Sequence, residues 1–175
     1  MKRKIITIFG SSKPTSNEEQ YLTAYNLGNL LAKNGFDICT GGFNGIMEAA
    51  SKGAVDAGAD AIGVTVNLWN GKANHYLTKE IICDTLFERI NKLIELGDGF
   101  VVLQGGTGTL LELAAVWEYL NKGLLENKPI ACHANIWKVI VAEMNQQMKL
   151  EGRNYNIVKS FDSIEAIADY LKNNL

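Results

Sequence analysis

Gln104-Gly105-Gly106-Thr107-Gly108-Thr109 follows an apolar run, Gly99–Leu103, and precedes a helical pattern that lasts to about Leu120. Glycine lets backbone amides come close to an anion. A helix start adds aligned N–H donors and a partial positive charge. Thr107 and Thr109 add two hydroxyls, so a phosphate is the natural guest of this loop. Two further loops have a similar make-up. Gly10-Ser11-Ser12 ends the apolar run Ile5–Phe9, and Gly41, Gly42 and Gly45 fall in the segment that follows Cys39. For either of these, a tight strand-to-helix turn with no ligand is an equal alternative. Neither glycine loop fits G-x-G-x-x-G, and no G-x-x-x-x-G-K-[ST] occurs, which disfavours dinucleotide and P-loop chemistry. The expected ligand is one mononucleotide-sized phosphate.

Glu112 stands three residues after Thr109. That spacing suits a capping box, which would stabilise the helix by roughly 1 kcal/mol. It also suits a catalytic carboxylate beside the phosphate loop. Arg89 lies one turn into a helix opened by Thr85, and on spacing alone reads as a surface residue paired with a neighbouring acid. Cys39, Cys83 and Cys132 are far apart and odd in number, and the only histidines are His75 and His133. A disulfide framework, a zinc cluster or another metal centre is not expected, and the cysteines read as small buried hydrophobes.

The elements that must position these residues alternate between strand and helix. Ile5–Phe9, Phe36–Cys39, Ala61–Val66, Gly99–Leu103 and Pro129–His133 read as short apolar strands, with Lys79–Cys83 a candidate strand and Ile157–Val158 a candidate extended piece. Ser16 with Glu19, and Thr85 with Glu88, have capping-box spacing and open helices through Asn34 and Leu96. Further helical patterns cover Ile46–Ala57 and about Ile136 to Lys149, and Ser163 opens a last amphipathic one. Nearly unbroken apolar strands between helices predict a parallel sheet covered on both faces. The expected fold is α/β: one doubly wound, Rossmann-like nucleotide-binding domain over residues 1–175. Ligands in such sheets bind beyond the carboxyl ends of the strands, where all three glycine-bearing loops fall.

Composition is consistent with this. The 175 residues are 47% hydrophobic and 21% charged, ordinary for a globular chain able to bury about 70% of its unfolded surface. With Lys+Arg 17 against Asp+Glu 19, no basic field exists to drive nucleic-acid binding. The first apolar run is too short for a signal peptide, and no stretch of about 18 apolar residues occurs, so a cytoplasmic protein with no membrane partner is expected.

Gln104–Glu112 reads QGGTGTLLE and resembles the P-G-G-x-G-T-x-x-E motif of the LONELY GUY (LOG) family, often mislabelled lysine decarboxylase-like. Arg89, 16 residues before Gly105, matches the arginine of that family's M-H-x-R-K segment. Ile8–Ser12 resembles its first-strand exit, and Thr40–Met47 its G-G-x-x-G-[LIV]-M loop. Together the matches cover residues 5 to 133. The resemblance implies a phosphoribohydrolase that cleaves nucleoside 5′-monophosphates, AMP or the cytokinin riboside type, to free base and ribose 5-phosphate. It implies cytokinin activation, no cofactor and a homodimer or higher homo-oligomer. Arg89 and Glu112 would be the catalytic pair. Gly105, Gly106, Thr107, Gly108 and Thr109 would hold the phosphate, with Gly10, Ser11, Ser12, Gly41, Gly42 and Gly45 completing the substrate site. No pyridoxal-phosphate site supports the decarboxylase label.

Departures from the motif are Gln104 for proline, Ile90 for lysine after the arginine, and Phe87 for histidine. Tyr76 aligns loosely with a substrate-contacting glutamate of many relatives. Trp69 is a lid over the base, a dimer contact or plain packing. Trp117 and Tyr119 are expected on an exposed helix face that joins subunits. The alternative function is a non-enzymatic binder of a phosphorylated, nucleotide-like cofactor, similar to the molybdenum cofactor carrier proteins.

Overall fold

The first strand, β1 (Lys4–Phe9), sends Ile6 and Ile8 to one side and Ile5 and Phe9 to the other, and all four are buried. Side chains alternate across a strand, so an unbroken apolar run needs cover on both faces. The computed structural model describes residues 2–68 and 71–175, and supplies that cover. In chain order the elements after β1 are α1 (Glu19–Lys33), β2 (Phe36–Thr40), α2 (Ile46–Asp56), β3 (Ala61–Val66), β4 (Lys79–Cys83), α3 (Leu86–Leu96), β5 (Gly99–Val102), α4 (Thr107–Asn121), β6 (Ile130–His133), α5 (Asn135–Leu150), β7 (Val158–Phe161) and α6 (Ile164–Asn174).

All strand pairs are parallel, in the order β4-β3-β2-β1-β5-β6-β7. One core lies under α1, α2 and α6 and includes Leu27, Ala50 and Leu171. The other lies under α3, α4 and α5 and includes Leu93, Val116 and Trp137. This is the expected doubly wound α/β architecture. The chain runs outward from β1 to β4, then returns to place β5 on the other side of β1. A crevice opens where strand order reverses, between the carboxyl ends of β1 and β5.

Local chemistry explains the helix starts. Thr85 caps α3: its hydroxyl accepts from the Glu88 N–H at 3.1 Å, while the Glu88 carboxylate accepts from the Asp84 N–H at 2.9 Å. Ser163 caps α6 by accepting from the Ala166 N–H at 3.2 Å. The expected Ser16–Glu19 box does not form. Glu18 precedes the helix instead, and its carboxylate accepts from the Thr15 N–H and hydroxyl at 2.6 and 2.9 Å. The candidate extended piece at Ile157–Val158 is a full edge strand, β7, running to Phe161. Its alternation is masked because only Val158 is buried and the rest is polar or half-exposed. Cys39, Cys83 and Cys132 are free and buried, as the sequence suggests. Trp69 lies outside the described residues.

Candidate functional site

Three loops are laced together at the crevice. Ser11 donates its N–H to the Gln104 carbonyl at 2.9 Å, and its own carbonyl accepts from the Ile46 N–H at 2.9 Å. This ties the β1 exit both to the β5 exit and to the start of α2. Gly45 makes the second tie possible. Its φ is 69°, and a Cβ there would fall 2.5 Å from the Ser11 carbonyl oxygen.

Beyond β5 the chain turns into α4 with Gly106 as N-cap and no side-chain cap. The first intrahelical bond is from the Leu110 N–H to the Gly106 carbonyl, 3.0 Å. The amides of Thr107, Gly108 and Thr109 therefore have no carbonyl one turn back. They border an open cleft of about 720 Å³ that also takes in Gly10, Ser11 and Ser12. This groups seven of the expected ligand-side residues around one space.

The others stand behind it. Gly105 lets Thr109 pack close, since a Cβ there would lie 2.1 Å from the threonine hydroxyl. Gly42 offers its carbonyl to the Asn74 N–H and side-chain amide. Gly41 makes room for Arg89: a Cβ at Gly41 would fall 1.8 Å from Nη2.

Arg89 is not the surface residue that its spacing alone suggests. It is 6% exposed. Its Nε donates to the Val64 carbonyl at 2.8 Å, Nη2 to the Gly41 carbonyl at 3.2 Å, and Nη1 to Glu112 Oε1 at 3.3 Å. The guanidinium also sits 5.7 Å from the Phe43 ring centroid. Three of its five N–H donors are committed within the protein, which fixes the fork in place.

Glu112 does not cap α4. Thr109 is the third helical residue rather than the N-cap, so Glu112 lies a further turn inside, buried at the cleft wall. Among the described residues it is the one carboxylate lining this cleft. Burial pushes its pKa up from 4.5 to about 7, against the downward pull of Arg89 through charge and hydrogen bond. A carboxylate that exchanges its proton near neutrality, beside a row of open helix amides, can stabilise or deprotonate a group whose anionic end rests on those amides.

A profile of the SLOG cluster4 family matches residues 3–163. The chain belongs to that family. The LOG resemblance read from QGGTGTLLE is thereby borne out. Over 130 residues the SLOG cluster4 chain is 29% identical to the cytokinin riboside 5′-monophosphate phosphoribohydrolase of Rhodococcoides fascians, an alignment covering 72% of this chain and 65% of that one. It is 32% identical over 106 residues to the pyrimidine/purine nucleotide 5′-monophosphate nucleosidase of Escherichia coli K12, covering 55% of this chain and 23% of that one. The chain thus spans less than two thirds of the length of these relatives. Among solved structures, the molybdenum cofactor binding protein of Rippkaea orientalis superposes with a TM-score of 0.79 at 25% identity, covering 99% and 98% of the two chains.

The departures from the LOG motif fall into place on this SLOG framework. Ile90 is buried in the core beneath α3 and lines the cleft with Phe43, Met47, Leu86 and Leu111, forming an apolar wall. Phe87 points outward, 69% exposed. Gln104 turns to a separate hollow of about 280 Å³ beside His133 and Lys138. Tyr76 is not among the residues lining the main cleft. It packs on His75, with centroids 4.0 Å apart, and lies 5.6 Å from the Lys52 ammonium.

Sequence reasoning missed the apolar wall and the cleft-bordering Lys13 and Lys72. Lys13 was the more legible, two residues beyond Ser11 in an already suspected loop. Trp117, expected on an exposed face, is buried, and Tyr119 is half-buried with its hydroxyl donating to Asn91 at 2.8 Å. Exposed apolar residues in and around α4 and α5 include instead Leu110, Leu111, Leu124, Ile136, Val139, Met144 and Leu150.

Proposed function

We propose that this chain hydrolyses the N-glycosidic bond of nucleoside 5′-monophosphates, releasing free base and ribose 5-phosphate. One observation carries the reading. Buried Glu112 and the open amides of Thr107–Thr109 belong to one helix and face one cleft. The rise from Thr107 to Glu112 is about 7.5 Å along the axis, the scale of a ribose 5-phosphate. With the phosphate on the helix start, the sugar lies toward the carboxylate.

Cleavage of the C1′–N bond builds positive charge on the ribose. Ionised Glu112 stabilises that charge and accepts a proton from the water that attacks C1′, while the electron pair of the broken bond leaves with the base, which takes a proton from solvent. Glu112 then returns its own proton to solvent, so one water is consumed. Arg89 holds Glu112 in place. AMP and cytokinin riboside monophosphates are the proposed substrates, with no cofactor. The names of the Rhodococcoides and Escherichia relatives support the class.

The test is incubation with a panel of nucleoside monophosphates and chromatography for free base. AMP should also raise the melting temperature far more than adenosine, because the phosphate supplies the contact to the helix amides. Equal shifts would remove the phosphate assignment.

A second reading is a non-enzymatic carrier of a phosphorylated, nucleotide-like cofactor. The near full-length superposition on the Rippkaea protein supports it. Tight binding of phosphorylated ligands with no hydrolysis across the panel would favour it.

We further propose a cytoplasmic homodimer or higher homo-oligomer acting as one nucleotide-binding domain over residues 1–175. No helix among the described residues is long and apolar enough to cross a membrane. Leu110 of α4 and Met144 of α5 border one largely apolar hollow with Ala114 and Ile140, which offers a self-association surface, and two-fold closure is the commonest arrangement. Light scattering at micromolar concentration should return at least twice the 19.2 kDa chain mass. A monomeric mass would refute the oligomer.

A further inference from the structure

We infer that Lys13 is the cation that grips the phosphate of the bound ligand and makes the site select phosphorylated over unphosphorylated nucleosides. The inference rests on the phosphate reading of the α4 start, and on the hydrolase reading only for its kinetic arm.

Among the described residues, three cationic side chains line the cleft: Lys13, Lys72 and Arg89. Arg89 is tied to the cleft wall by its contacts. Its guanidinium is buried and divided among the Val64 carbonyl, the Gly41 carbonyl and Glu112. Moving it to a phosphate would strand two buried carbonyls and a carboxylate. With Arg89 held at the wall and its charge shared with Glu112, a lysine is the cation able to follow the phosphate.

Lys13 and Lys72 are both exposed and form no ion pair with the described residues. They differ in how their backbones are held. The Lys13 N–H donates to the Ser11 hydroxyl at 3.1 Å. Ser11 in turn bonds the Gln104 carbonyl on the strand exit that leads into α4. The Lys13 backbone is thus two short links from the chain that presents the Thr107–Thr109 amides. Lys72 approaches from the β3–β4 segment.

The hydrogen-bonded register gives Lys13 a fixed base from which its flexible stem reaches across the cleft. Amides alone recognise an anion by geometry. An ammonium adds a charge-assisted bond that a neutral 5′-hydroxyl cannot match. The apolar wall of Phe43, Met47 and Ile90 contributes no charge, so loss of Lys13 leaves uncharged amides and hydroxyls as the fixed donors of the phosphate end.

The test uses the full chain and four variants: Lys13→Ala, Lys13→Arg, Lys72→Ala and, as a distant control, Lys172→Ala. Calorimetry measures binding of AMP, adenosine and inorganic phosphate, and steady-state kinetics follow AMP hydrolysis. Lys13→Ala should weaken AMP and phosphate about tenfold while leaving adenosine unchanged. It should raise KM with kcat little altered, because the contact is equal in ground and transition states. Lys13→Arg should restore most of the affinity, Lys72→Ala should have the smaller effect, and raising salt should shrink the difference between wild type and Lys13→Ala.

If wild type hydrolyses AMP and Lys13→Ala binds it as well as wild type does, the Lys13 assignment is overturned and the hydrolase reading stands. A larger loss in Lys72→Ala than in Lys13→Ala overturns it too. If wild type binds AMP without hydrolysing it and Lys13→Ala weakens that binding, Lys13 stands and the hydrolase reading falls. If wild type binds neither AMP nor phosphate, both fall.

Discussion

Glu112→Gln should lower nucleotide hydrolysis about a hundredfold or more, the usual cost of removing an electrostatic contact made to a developing charge. At pH 8 it should change the melting temperature little, because the neutral amide relieves the buried carboxylate but leaves Arg89 without its counter-charge. These two effects separate chemistry from scaffolding. Burial lifts the folded-state pKa of Glu112 from 4.5 to about 7, so ionising it opposes folding even with Arg89 at hand. A group with a raised folded pKa contributes its stability fully below the unfolded value of 4.5. That contribution is lost as pH climbs through about 7. Above that window the wild-type carboxylate works against the fold, and a neutral amide does not. Glutamine keeps an acceptor for Arg89 Nη1, and no capping box exists to be lost. Hydrolysis and melting should be measured on one preparation at pH 4.5, 6 and 8. Near wild-type hydrolysis with a lowered melting point would make Glu112 a structural acid.

A buried acid whose ionisation opposes folding is the mark of a site built at the expense of the fold. Periodicity could not find the role of Glu112. In sequence it sits three residues from Thr109 and looks like half of a capping box. Only the actual start of α4, set by Gly106 and the turn before it, moves it out of the cap.

The inner strands were legible because they are short apolar runs ended by glycine or polar residues, and Ala61–Val66 matches its predicted bounds. The Thr85 and Ser163 caps were legible because a hydroxyl three residues before a free amide has few other options. Ser16 failed since Thr15 and Glu18 make a competing pair one residue earlier. Edge strand β7 was obscure because a half-solvated strand carries little apolar pattern. The Arg89–Glu112 contact, 23 residues apart, depends on α3 and α4 lying on the same face of the sheet. Local pattern says nothing about that. Motif resemblance did, by placing both residues in one family site.

Arg89→Met should abolish most turnover, destabilise the fold and move the pH dependence of kcat/KM to higher pH. Each effect follows from the contacts of the guanidinium. Methionine keeps an apolar stem of similar length but removes the donors to the Val64 and Gly41 carbonyls, the guanidinium contact with Phe43 and the counter-charge of Glu112. Removing one partner of a buried pair costs about 3–5 kcal/mol. Arg89 lowers the Glu112 pKa, so without it burial acts unopposed and the value rises above about 7. At any given pH less of the carboxylate is then ionised. If ionised Glu112 is the working form, the rising limb of the pH profile lies near pH 7 in the wild type and shifts alkaline in the variant. The loss of stability should also grow with pH, since the unpaired carboxylate becomes costly only when charged. Arg89→Lys keeps the charge without the fork. It should hold the limb near its wild-type position while losing part of the turnover, which guards against a variant that simply fails to fold. A rising limb that stays fixed in Arg89→Met, with turnover lost, would mean that Arg89 acts on the substrate directly rather than through Glu112.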